Sequence, residues 1–233
     1  MNINALIIKL REVKKMGFVP TVYAHDGGVG NTLENLLGIK ENNISLPDVG
    51  EIEIKAKRVE SSSMLTLVSK APLPRGVNRL LFNSYGYIGD DGIRKLYTTI
   101  YGSRINPQEF RVVINGDKLV LENRNGIEAY WPLEGLISGL KTKANKTLLV
   151  YALTEGKKGS QNERFHYNEA YLLSGLDSQN IKTMLEEGKL KFDIRIGADK
   201  KGGRVGAYHD HGTAIRISKK DYLSLFDDQK RLL

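Results

Sequence analysis

Apolar residues recur along this chain with two periods. Residues 51–57, Glu-Ile-Glu-Ile-Lys-Ala-Lys, alternate polar and apolar side chains. A period of two belongs to a β-strand with one buried face, so Glu53 and Lys55 are expected to point the same way, onto the open face. Residues 63–70 read as a second strand paired to the first. Residues 111–122 read as a hairpin in which Asn115-Gly116 favours a tight turn. Short strands are expected at 148–153, 190–196 and 213–217. Helical spacing appears within residues 5–16, at Leu6, Ile7, Leu10 and Val13, and ends at Gly17. A helix capped by Asn31 or Thr32 runs through Leu37, stops at Gly38 and carries Glu34. Another spans 178–187 before Gly188, and a last one follows Ser218. Loops are expected at 71–76, at the turn Asp90-Asp91-Gly92, and in a flexible basic stretch at 200–204. Strands and helices interleaved with hairpins predict an α/β or α+β fold with a mixed, mainly antiparallel sheet.

The length, 233 residues with 40% hydrophobic content, suits one domain or one domain with two lobes. The absence of cysteine excludes disulfides and thiolate metal sites. A formal net charge of +8 is either a solubility charge or the footprint of a polyanion-binding protein. The first seventeen residues have too short an apolar run, and too much charge after it, for a secretory signal. No stretch is long enough to span a bilayer as a helix. A soluble, cytoplasmic protein is expected.

The segment SLPDVGEIEIKAKR, residues 45–58, offers chemistry. Asp48 lies on the turn just before the strand, so two carboxylates, Asp48 and Glu53, and the Lys55 ammonium can converge. Mg²⁺ takes oxygen ligands and keeps several waters, so two carboxylates beside a phosphate suffice. Bound there, it activates a water and offsets phosphoryl charge, while a lysine holds the water or the developing charge. The bland alternative is a solvated strand with alternating charges.

Two distal segments suit base edges. In Asp193-Ile194-Arg195-Ile196, alternation puts Asp193 and Arg195 on one face. The second runs from His209 through Asp210, His211 and Gly212 to Arg216. Arginine is the usual bidentate partner of guanine, and aspartate accepts from cytosine N4. The alternative is an ion-pair network across antiparallel strands. His209 and His211 have no third His or Cys nearby, which argues against zinc; bonding to bases or phosphate, or an ordinary loop role, remains. The segment 26–30, Asp-Gly-Gly-Val-Gly, lacks a Walker lysine and reads as a turn or hinge into the Glu34 helix.

Taken in order, GVGNTLENLLGI (28–39), ENNISLPDVGEIEIK (41–55), LTLVSKAP (65–72), FNSYGY (82–87), DIRIGA (193–198) and HDHGTAIRI (209–217) resemble the monomeric, MutH-like Type II restriction endonucleases of the MvaI/BcnI family. The resemblance covers nearly the whole chain. It implies a PD-(D/E)xK nuclease fold shaped as a two-lobed clamp, a catalytic lobe from part of about 1–160 and a DNA-recognition lobe from part of about 161–233. It assigns Asp48 and Glu53 to Mg²⁺, Lys55 to the attacking water, and Glu34 to the active centre. Arg195 and Arg216 match guanine-reading arginines, with Asp193, His209, Asp210 and His211 in the same segments. The loop from Lys70 to Arg75 matches one that approaches the minor groove.

The resemblance implies Mg²⁺-dependent cleavage of double-stranded DNA at a CCNGG-type site by a monomer that cuts the strands one after the other. Two histidines associated with a C or G centre are replaced by Ser69 and Ala214, and HDHGTA resembles the version that takes A or T. CCWGG is therefore expected over CCSGG. A cognate methyltransferase is expected in a prokaryotic host, not as a bound partner. The competing readings are a MutH-like strand-selective repair nickase, a DNA-binding module without catalysis, and a zinc nuclease built on His209 and His211.

Overall fold

The computed structural model describes residues 2–39, 47–198 and 208–233. The basic loop expected at 200–204 and residues 41–46 of the PD segment lie outside them. In chain order the elements are α1 (Ile3–Lys15), β1 (Val19–Pro20), α2 (Gly28–Leu37), β2 (Ile52–Arg58), β3 (Leu65–Ser69), α3 (Val77–Tyr85), β4 (Tyr87–Ile88) and β5 (Arg94–Ile100). Then come β6 (Arg111–Asn115), β7 (Lys118–Glu122), β8 (Tyr130–Pro132), α4 (Leu133–Ala144), β9 (Lys146–Glu155) and β10 (Arg164–Ser174). The chain ends with α5 (Ser178–Glu186), β11 (Leu190–Ala198), β12 (Tyr208–Ile217), α6 (Lys219–Tyr222), a 3₁₀ turn (Leu223–Leu225) and β13 (Asp228–Arg231). They form two compact units that interleave along the chain: Met1–Ser63, Lys141–Leu176 and Phe226–Leu233 in one, Met64–Leu140 and Asp177–Leu225 in the other. No described helix is long and apolar enough to cross a membrane.

The first unit has a sheet in the order β1-β10-β9-β2, with β13 also on β10. Leu6, Leu10 and Val13 of α1 recur at helical spacing and are buried. With Val29, Leu33 and Leu37 of α2 they pack on Ile52 and Ile54 of β2 and on Leu148 and Val150 of β9. Asn2 caps α1 by accepting from the Ala5 amide at 2.9 Å. Gly38, at φ +72°, lets α2 stop, and the Ile39 amide closes back on the Glu34 carbonyl at 2.8 Å. α2 starts three residues earlier than Asn31. Part of the supposed glycine hinge is thus its first turn. A Cβ at Gly28 would sit 2.6 Å from the Tyr23 carbonyl, so close packing accounts for this glycine.

Strand β2 pairs with β9, in parallel, and not with residues 63–70. The expected pairing rested on nearness in sequence, but no tight turn joins the two strands. β3 pairs instead with β12, in the second unit. That unit holds the sheet β3-β12-β11-β5-β4 and a three-stranded meander, β6-β7-β8. The β6–β7 turn centres on Gly116-Asp117, one residue beyond expectation, with Gly116 at φ +59°. The His209–His211 segment belongs to β12 rather than to a loop. β11 and β12 slip register between Ile194 and Ile196, where His211 and Gly212 together oppose Arg195. Gly212 takes φ +78° there, as a glycine at a β-bulge does.

Candidate functional site

The PD segment reaches its strand through a tight turn. Val49 and Ile52 bond to each other through both backbone amides, at 3.0 and 2.9 Å, with Gly50 at φ +59° between them. That turn sets Asp48 opposite Glu53. Asp48 Oδ2 accepts from the Ile54 amide at 2.7 Å, which fixes its carboxylate beside the strand. Lys55, two residues on and on the same face, donates to Glu53 Oε1. Asp48, Glu53 and Lys55 are therefore brought together.

The face they share is not open. Glu53 is only 2% exposed. β9 runs alongside with Thr147 in register with Glu53, and Lys143, in the last turn of α4, brings its Nζ to 3.4 Å from Glu53 Oε2. That approach is an ion pair without hydrogen-bond geometry, and Oε2 has no hydrogen-bond donor. Burial pushes the Glu53 pKa above its ordinary value; the Lys55 charge and hydrogen bond pull it back, the Asp48 charge adds to the rise, and Lys143 opposes it. Farther along β2, Lys57 is tied to Ser63.

Glu34 is half-buried on α2, a helix packed on β2. It does not join Asp48 and Glu53 as a third clustered ligand: among the described residues no three His, Cys, Asp or Glu side chains form a metal-holding group. The donor set is thus two carboxylates with one under-satisfied buried oxygen. Such a set fits a hard cation that keeps waters and shares a phosphate, rather than a closed protein cage. His209 and His211 stack edge-on, with ring centroids 4.3 Å apart, and belong to no such group either.

In the second unit the acid–arginine pairing runs crosswise. Asp193 on β11 does not pair with Arg195 on its own strand. Its Oδ2 accepts from Arg216 Nη1 on β12 at 2.5 Å, and its Oδ1 accepts from Thr99 of β5 at 2.7 Å. Arg216 also donates to the Met64 carbonyl at 3.1 Å. Arg195 sits at the bulge, in register with Tyr97 of β5, and its Nε is buried without an acceptor. His209 is in register with Gly197 and so shares the Arg195 face. Asp210 turns the other way: it accepts from Asn78 of α3 at 2.8 Å and from Tyr208 at 3.3 Å. Burial and the Asp210 charge push Tyr208 up to about 12. Lys70 donates to the Gly135 carbonyl at 2.9 Å, and Arg75 is exposed in the following loop. Ser69 and Ala214 face each other across β3 and β12.

Sequence reasoning missed Lys143, Tyr97, Thr99 and Asn78. The alternation in residues 95–99 (Lys-Leu-Tyr-Thr-Thr) was a usable signal for β5. Nothing marks Lys143 among its neighbouring lysines.

No curated protein matches the chain. Among solved structures it is similar to restriction endonuclease MvaI in complex with its cognate DNA substrate, at 30% identity and a TM-score of 0.85, covering all of both chains. It is also similar to restriction endonuclease MvaI in the absence of DNA, at 30% identity and a TM-score of 0.57, covering 100% of this chain and 99% of that one. Residues 7–226 match the MvaI/BcnI restriction endonuclease family. With its PD turn, its Glu53–Lys55 strand and a match spanning nearly its whole length, the chain belongs to that family.

Proposed function

We propose that this protein is a Mg²⁺-dependent endonuclease that cuts double-stranded DNA at CCWGG, one strand at a time, as a monomer. The observation that carries the catalytic reading is the turn that sets Asp48 against the buried, under-satisfied Glu53 with Lys55 bonded beside it. Asp48 and Glu53 would hold the cation. When bound, a divalent cation there lowers the pKa of a water and offsets charge on the phosphoryl oxygens. Lys55 orients the attacking water in line with the scissile bond, and its ammonium faces the charge that builds on the phosphate. By family likeness the products carry 5′-phosphate and 3′-hydroxyl ends.

The likeness to the MvaI–DNA complex supports DNA binding. Arg195 and Arg216 read guanines, with His209 and His211 on the same strand as Arg216. Asp193 holds Arg216 in place through a charge-assisted bond. The preference for A or T at the centre rests on Ser69 and Ala214. These are cross-strand partners, so both positions tied to the central pair lie side by side and neither is a histidine. The test is digestion of DNA of known sequence with Mg²⁺, followed by sequencing of the ends. Cuts at CCWGG, with an open-circle intermediate from supercoiled plasmid, are expected. Cleavage only at CCSGG overturns the central-pair reading, a concerted double-strand break overturns the monomer, and no Mg²⁺-dependent cleavage overturns the catalytic reading.

A further inference from the structure

The carboxylate at the heart of the site faces two ammonium groups, and only Lys55 belongs to the nuclease motif. The second, Lys143, comes from the last turn of α4. Its placement follows from local structure. α4 ends at Ala144, whose carbonyl accepts from the Thr147 hydroxyl at 3.0 Å, and β9 then runs parallel to β2 with Thr147 level with Glu53. The helix end is thereby held beside Glu53, with Nζ 3.4 Å from Oε2. Lys55 occupies Oε1. Oε2 is buried and has no hydrogen-bond donor, so Lys143 supplies charge there without a bond. A lysine in this position does what a cation would do, at the oxygen a cation would need.

We propose that Lys143 is a built-in counter-ion for the metal site, which a divalent cation must displace from Glu53 Oε2 in order to bind. This rests on the reading of Asp48 and Glu53 as the metal-holding pair. Its consequence is a site neutralised in the metal-free protein and bound weakly by metal until the ammonium moves. The side chain of Lys143 is 22% exposed, so the ammonium has solvent to retreat into.

The experiment is calorimetric titration of the DNA-free protein with Ca²⁺, together with thermal unfolding with and without Ca²⁺. K143M and K143Q keep most of the length and the helix propensity of the side chain without its charge. Both are expected to bind Ca²⁺ about tenfold more tightly than the parent, equivalent to ~1.4 kcal/mol. Both are also expected to melt lower than the parent without metal and to gain more on adding Ca²⁺. K143R keeps the charge and should bind as the parent does. Equal or weaker Ca²⁺ binding by both neutral variants, with intact far-ultraviolet dichroism, overturns the proposal. E53Q separates the two readings: if the parent's Ca²⁺ binding survives E53Q unchanged, the metal assignment itself is wrong.

Discussion

Strand β2 carries a buried glutamate partner at one end and a buried glutamate at the other, and the protein treats the two acids differently. At the C-terminal end Arg58 grips Glu163 with two bonds, Nε to Oε1 at 2.6 Å and Nη2 to Oε2 at 2.8 Å. The Gly159 amide adds a third at 2.8 Å, and Arg58 Nη1 donates to the Asp26 carbonyl at 2.8 Å. Both Glu163 oxygens are bonded. At the N-terminal end Glu53 is as deeply buried, but only one of its oxygens is bonded. A buried acid that is fully bonded ties chain segments together. A buried acid left short of partners keeps capacity for a ligand, at a cost in stability that a purely structural site would avoid.

That contrast is tested first by E53Q, which has the largest expected effect. The amide keeps the size but cannot hold a cation as the carboxylate does. Metal assistance is worth several kcal/mol, so single-turnover cleavage should fall at least about a thousandfold. DNA binding in Ca²⁺-free buffer should persist, and D48N should behave alike. Next comes E163A. Removing one partner from a buried pair strands the other charge, which costs ~3–5 kcal/mol. The denaturant midpoint should drop accordingly while the folded fraction still cleaves. If E163A abolished cleavage without loss of stability, or E53Q unfolded the protein, the two ends of β2 would have been assigned the wrong way round.

A third prediction concerns β11 and β12. R195A and R216A should each relax discrimination between cognate and near-cognate sites by ~1–3 kcal/mol per lost bidentate contact. Equal weakening on all sequences would mark phosphate contacts instead. Only R216A should also lower stability, because Asp193 would keep just the Thr99 hydroxyl. A D193A/R216A double-mutant cycle should recover part of that loss. Additive effects would mean that the ion pair does not position Arg216.

The same examples explain what could be read from the chain before folding. Asp48, Glu53 and Lys55 lie within eight residues, and a tight turn plus a period of two suffices to gather them. Arg58 and Glu163 are 105 residues apart and meet only through sheet register. Asp193 and Arg216 are 23 apart, and their pairing depends on the register of β11 and β12, in which Asp193 lies opposite Ala214 and Lys191 opposite Arg216. Alternation correctly placed Asp193 and Arg195 on one face but said nothing of the partner strand. It also mistook the environment of Glu53, because periodicity tells which side chains share a face, not what covers it. The covering groups, Thr147 and Lys143, come from almost a hundred residues away. The mixed fold class was legible because strand and helix periods are local signals; α3, β5 and α4 escaped notice although they supply Asn78, Thr99 and Lys143.

The smallest expected effect is also the one that sets the two glutamates most directly against each other. Burial raises the Glu53 pKa above 4.5 in the folded, metal-free protein. The fold then holds that proton more tightly than the unfolded chain does. The stability contributed is fully present below about 4.5 and is lost as pH rises through the folded pKa. For Glu163 burial pushes the same way, but the Arg58 bonds, the Gly159 amide and the charges of Arg58 and Lys158 outweigh it, and its pKa falls below 4.5. Its stabilisation is present above that value and is lost as pH falls through the folded pKa. Denaturant titrations of the metal-free protein across the acidic to neutral range should therefore give difference curves of opposite slope. E53Q should gain on the parent as pH rises, whereas E163Q should close its deficit as pH falls. Ca²⁺ affinity of the parent should decline on acidification through the raised pKa of Glu53. Parallel slopes would show that burial and bonding do not separate the two acids.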